Sequence, residues 1–303
     1  MVWWIIILII MSAISFILNG LFLFVLARNK DLVKRKRITY HVANIAVADT
    51  LFGLGSFCYI IVWLHRNEVT YETVLLFQFM WNVGYFASQA AVLLMTIERS
   101  IVIAKPLKWN EILPRKRMLL FMICSWIAVV TLLGVYHYFR WKQFNEVYYT
   151  KYFELRRKGN TVELVMYTLH TVFLLSAAAV NIYMFKKLRK KDGLADSQQS
   201  TRQLPQAGTQ QKSMHLKRKA SKLVLLLAGI MIITCLPTSL QKVLQHLCIA
   251  MKLRICSMDL ENFVVFYLLR NLNFIVNPLV YIWKDRIYRN AFYRTFKFKT
   301  AQF

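Results

Sequence analysis

Asn277-Pro278-Leu279-Val280-Tyr281 closes the last long apolar segment of the chain, which then gives way to Lys284, Asp285 and Arg286. A proline inside a membrane helix removes one backbone donor, and a neighbouring asparagine can satisfy or redirect the carbonyl it frees. The pair makes a bendable joint, and Tyr281, one turn further on, can swing when the joint moves. The stretch reads as the end of a hinged membrane helix, and the rest of the chain repeats the membrane pattern.

Of the 303 residues, 57% are apolar and 15% aromatic. The apolar residues come in runs of about 20 or more, the length a helix needs to cross hydrocarbon. Seven runs predict an all-α membrane protein, a seven-transmembrane-helix bundle over residues 1–283, with spans at 3–28, 38–64, 73–104, 118–139, 162–188, 223–247 and 260–283. Residues 192–213, with Gly193, Pro205, Gly208 and a run of Ser and Gln, predict a flexible third intracellular loop whose basic flanks continue the fifth and sixth helices. In the tail, 284–303, basic residues alternate with Ile287, Tyr288, Ala291, Phe292, Tyr293 and Phe296. That spacing predicts a short amphipathic cytoplasmic helix on the membrane surface.

A formal charge of +26 would suit nucleic acid, but the cations are sorted by loop. Arg28, Lys30, Lys34, Arg35, Lys36 and Arg37 lie between the first two runs, and the other loops of that side with the tail hold most of the rest. By the positive-inside rule this side is cytoplasmic, which puts the N-terminus outside and the C-terminus inside the plasma membrane. The expected partners are therefore anionic membrane lipid and cytosolic protein, with no nucleic acid. Met1-Val2-Trp3-Trp4 has no basic n-region, so no cleaved signal is expected.

Cys58, Cys124 and Cys235 fall within apolar runs and read as buried thiols. Cys248 and Cys256 lie in the outer connection before the last span, and a disulfide is expected there. The histidines at 41, 65, 137, 170, 215 and 246 show no metal-ligand spacing, and the spans hold too few acids for a proton relay. A seven-span enzyme or transporter is thus the weaker alternative.

The third span ends Thr96-Ile97-Glu98-Arg99-Ser100, where an acid beside an arginine makes a releasable latch at the membrane edge. Together with Asn19-Gly20, the run Asn44 to Asp49, Trp126, Tyr183, Pro237 and Asn277 to Tyr281, it gives seven matches in order, one on each span. The chain resembles the rhodopsin-like (class A) G-protein-coupled receptors over essentially its whole length. The resemblance implies a receptor, not an enzyme, that passes binding of an extracellular ligand to a heterotrimeric G protein by movement of helix six. Glu98, Arg99, Tyr183, Pro237, Asn277, Pro278 and Tyr281 would carry coupling. Arrestin is a further implied partner, with Ser197, Ser200, Thr201, Thr209 and Ser213 as phosphate sites. A receptor-like scaffold that no longer signals is the alternative within the family.

Ser88 precedes Arg99 by three helical turns, roughly 16 Å, on the same face, and Asn273 and Asn277 share a face of helix seven. With Asp49 they resemble the family's sodium pocket, so bound Na+ is an implied cofactor. Arg270 falls on nearly the same face two turns outward, and either receives an acidic group of the ligand or reaches Asp49. Trp81, Tyr85, Gln241, Tyr267 and Arg270 are the expected ligand-binding residues.

The departures from the pattern are specific. Val74 stands where the third-helix cysteine is usual, Cys235 replaces the sixth-helix tryptophan, Leu175 the fifth-helix proline, and Ser100 the usual tyrosine. Trp81 stands where a monoamine receptor would have aspartate, so a small monoamine is disfavoured, which leaves a lipid, an acidic small molecule or a peptide open as the ligand. Lys217 replaces an acid that would hold Arg99, which predicts raised basal activity. The missing cysteine and proline, with the outer cysteine pair, are similar to the melanocortin, lysophospholipid, cannabinoid and adenosine branch.

Overall fold

The computed structural model describes residues 2–35, 37–65, 70–106, 108–144, 161–199, 208–251 and 260–296. Seven helices are long and apolar enough to cross a membrane: Trp3–Arg28, Ile38–Leu64, Glu72–Ala104, Arg115–Lys142, Glu163–Lys190, Lys219–Cys248 and Val265–Lys284, here spans one to seven. Among the described residues there is no strand. This follows from the solvent, because hydrocarbon offers no partner for backbone N–H and C=O groups and a helix satisfies its own.

Span three is the hub. Its most apolar stretch is 67% buried, against 17% for span four, which turns most of its surface to lipid. Span two packs closest to it. A Cβ on Gly84 would collide with the backbone of Phe52, and one on Gly55 would lie 2.5 Å from the Trp81 backbone nitrogen. Small residues permit this approach, and with both surfaces backbone, neither could yield to a larger side chain.

Polar side chains tie the spans where lipid offers none. Asn19 donates to the Phe274 carbonyl at 2.8 Å, the carbonyl four residues before Pro278 that the proline leaves without its helical donor. Trp126 Nε1 donates to Asn44 Oδ1 at 2.7 Å, joining spans four and two. Near Pro237, Thr238 donates to the Phe266 carbonyl at 2.8 Å and couples span six to span seven.

One end of the bundle, the basic end, carries two short helices that the hydropathy pattern did not indicate, Lys30–Arg35 and Trp109–Ile112. The expected surface helix is Arg286–Thr295, capped by the Asp285 carboxylate accepting from Ile287 N at 2.9 Å. Tyr288 and Ala291 face inward, and the Tyr288 hydroxyl lies 3.1 Å from Thr39 Oγ1. Burial pushes the Tyr288 phenol above its ordinary pKa, so it stays neutral. The loop expected over 192–213 is helical at both ends, because the helices run Thr161–Gln199 and Gly208–Ala250. The third helix begins at Tyr71 and the fourth covers Arg115–Phe144, both beyond their apolar runs.

Candidate functional site

At the basic end, Glu98 is buried and shared by two arginines and a histidine. Arg99 Nη2 donates to its Oε1 at 2.9 Å, Arg37 Nε approaches the same oxygen at 2.9 Å, and His41 Nε2 bonds to Oε2. Arg37 comes from the turn before span two and is only 7% exposed, so it is no solvated loop cation. Its remaining nitrogens donate to the Leu113 carbonyl and, at 3.3 Å, to Asn110 Oδ1, and its guanidinium stacks over Trp109 at 4.9 Å. One acid therefore holds Arg99 and also ties span three to span two and to the short helix Trp109–Ile112. Sequence reasoning identified Glu98 and Arg99 but missed Arg37 and His41. Lys217 lies outside the residues whose side chains are described.

Beside Pro278, Asn277 donates to Asp49 Oδ2 at 2.8 Å. Asp49 Oδ1, Ser88 Oγ and Asn273 Oδ1 are buried without a hydrogen-bond partner. Tyr281 is fully enclosed between Phe22, at 5.3 Å, and Tyr288, at 6.2 Å, with its hydroxyl unpartnered. Tyr183 is not brought to it. It is 46% exposed, lies under Lys187 at 5.6 Å and walls an apolar crevice of about 460 Å³ with Ile97, Ile101 and Val180.

At the opposite half of the bundle, an aromatic cluster crosses spans two, three and seven. Phe52 stacks on Phe274 at 3.6 Å, and Trp81 meets Tyr59 and Tyr267 at 5.3 and 5.5 Å. Arg270 projects into this cluster against Trp81, Tyr85 and Tyr267. It does not pair with Asp49, whose hydrogen bond goes to Asn277. Gln241 is buried on span six, with Oε1 unpartnered and no hydrogen bond to the other four.

Two further polar clusters had no sequence signal beyond an isolated histidine. His170 bridges Gln89 of span three and Ser239 of span six, and Ser239 also meets Thr171 at 2.7 Å. Glu163 receives Tyr136 at 3.2 Å, Arg140 at 3.4 Å and His246 at 3.2 Å, which links spans four, five and six. Cys248 is disulfide-bonded and Cys256 lies outside the described residues; of the free thiols expected to be buried, Cys235 is, Cys58 is half-buried, and Cys124 is exposed on the outer face of span four.

The model of the 7 transmembrane receptor (rhodopsin family) matches residues 18–281, most of the chain. Among curated proteins none matches it.

Proposed function

Since this chain belongs to the rhodopsin family of seven-transmembrane receptors, we propose that it is a G-protein-coupled receptor whose basic end faces the cytosol, with the N-terminus outside the plasma membrane. The observation that carries this reading is the Glu98 cluster. A buried arginine is held by a neighbouring acid, ready for release, at the end of the most enclosed span. An agonist shifts the population only by its differential affinity for the open arrangement, in which span six moves about Pro237 and span seven about Pro278. Arg99 then leaves Glu98 for the G protein, and Tyr183 and Tyr281 stabilise the open arrangement. Nucleotide exchange takes place on the partner, so this chain supplies binding energy and no catalytic group.

The cations at this end also face anionic lipid. Arg28, Lys30 and Arg294, with Asp31, line a polar cleft of about 790 Å³ beside the surface helix. Arrestin would dock on a phosphorylated third loop. The test of the central reading is nucleotide exchange on G proteins of each main class, in membranes bearing this chain and in matched membranes lacking it, without ligand and with lipids, organic acids and peptides. Exchange above the control for any class is the expected result. Silence with every class, at verified surface expression, would overturn the coupling reading in favour of a receptor-like scaffold.

The three unpartnered oxygens of Asp49, Ser88 and Asn273 suit a small hard cation, and Asp49 brings the charge such an ion neutralises. Sodium bound there would hold spans two, three and seven together and favour the resting arrangement. Exchanging N-methylglucamine for sodium at constant ionic strength is expected to raise the Tm by about 2–4 °C. Asp49→Asn should abolish that rise. An equal response in the variant would rule the site out.

A further inference from the structure

Arg270 is 6% exposed, inside the bundle, two helical turns outward of Asn277. Its guanidinium carbon lies 4.1 Å from the Tyr267 ring centre and 4.9 Å from each of Trp81 and Tyr85. The rings attract the cation through their faces. They do not accept its in-plane N–H bonds as a carboxylate does. Nε and Nη2 have no hydrogen-bond partner, and these two nitrogens form a single edge of the guanidinium, the edge that takes a carboxylate side-on through two parallel bonds. Among the described residues no carboxylate pairs with Arg270. A buried charge with an open bidentate edge is costly unless something completes it.

We propose that the missing partner is the ligand. The site takes a monocarboxylate, received side-on by Arg270 Nε and Nη2, whose apolar body lies against Trp81, Tyr85 and Tyr267. This rests on the receptor reading above and adds the ligand's chemical class. A single cation among three rings matches one negative charge, whereas a phosphate dianion would leave a charge unmet. Trp81 Nε1 and Gln78 Oε1 on span three and Gln241 Oε1 on span six are also buried without a hydrogen-bond partner. Gln78 lies one turn outward of Trp81, where it can take up a second, neutral polar group of the same molecule.

The experiment uses the purified full-length receptor without G protein, so that failure of coupling and failure of this site remain separable. Tm is titrated with 3-phenylpropanoate, indole-3-acetate and oleate, each against its uncharged amide. At least one acid should raise the Tm with an apparent Kd about tenfold or more below that of its amide. The preference should vanish in Arg270→Gln and shrink in Arg270→Lys, which keeps the charge but not the two-pronged edge. A ligand-free arm needs no probe: Arg270→Met should raise the Tm, because an unmet buried charge is replaced by an apolar chain of similar length. No acid over amide preference, a preference that survives in Arg270→Gln, or a lowered Tm in Arg270→Met would each overturn the proposal. The last would mean that bound water or the rings already satisfy the guanidinium.

Discussion

Glu98→Gln is expected to raise ligand-free nucleotide exchange several-fold and to lower stability by about 3–5 kcal/mol, the cost typical of removing one partner from a buried ion pair. The direction of both effects comes from the sharing of this acid. Arg99, Arg37 and His41 converge on one carboxylate from span three, the turn before span two, and span two itself. An amide keeps the shape but not the charge. It leaves two guanidiniums facing each other in a poorly hydrated place, and it frees Arg99 from the bond that opposes its engagement with a G protein. Surface-matched exchange assays and Tm measurements would read the two effects. Adding Arg37→Gln should return part of the lost stability, since it removes one of the stranded charges, and a double-mutant cycle would report that coupling. A variant as quiet and as stable as wild type would show that Glu98 restrains nothing.

The spans were legible because length and hydropathy alone satisfy the bilayer. The Arg270 neighbourhood was legible too. Trp81 and Tyr85 are four residues apart, Tyr267 and Arg270 three, and both spacings put side chains on one helical face. Arg37 and His41 were hidden for the opposite reason. Their partner is far away in sequence, and an arginine in a basic loop carries no mark that separates a buried ion pair from a solvated cation. The open edge of Arg270 was invisible as well, since it depends on which nitrogens the neighbouring rings leave free. The extension of the fifth helix to Gln199 was obscured by Gly193, which weighed as a breaker although Leu194, Ala195 and the flanking lysines favour helix.

Arg99→Ala should do the reverse of Glu98→Gln. Exchange on the coupled G protein, with or without agonist, is expected to fall at least about tenfold, equivalent to roughly 1.4 kcal/mol or more of lost stabilisation of the receptor–partner complex. Stability should change much less than in Glu98→Gln. Removing Arg99 leaves Glu98 with Arg37 and His41, so the acid stays satisfied, and the Arg99 Nε already lacks a partner. The two neighbours of one ion pair thus have opposite expected effects on signalling and unequal effects on folding. A merely structural pair would not produce the opposite effects on signalling, since whatever each variant cost in folding would depress signalling with it. Exchange that persists in Arg99→Ala at matched surface level would mean that the partner engages another part of the basic end. If instead both variants lost expression and signal together, Glu98 and Arg99 would be a packing element and the latch would have to be sought elsewhere.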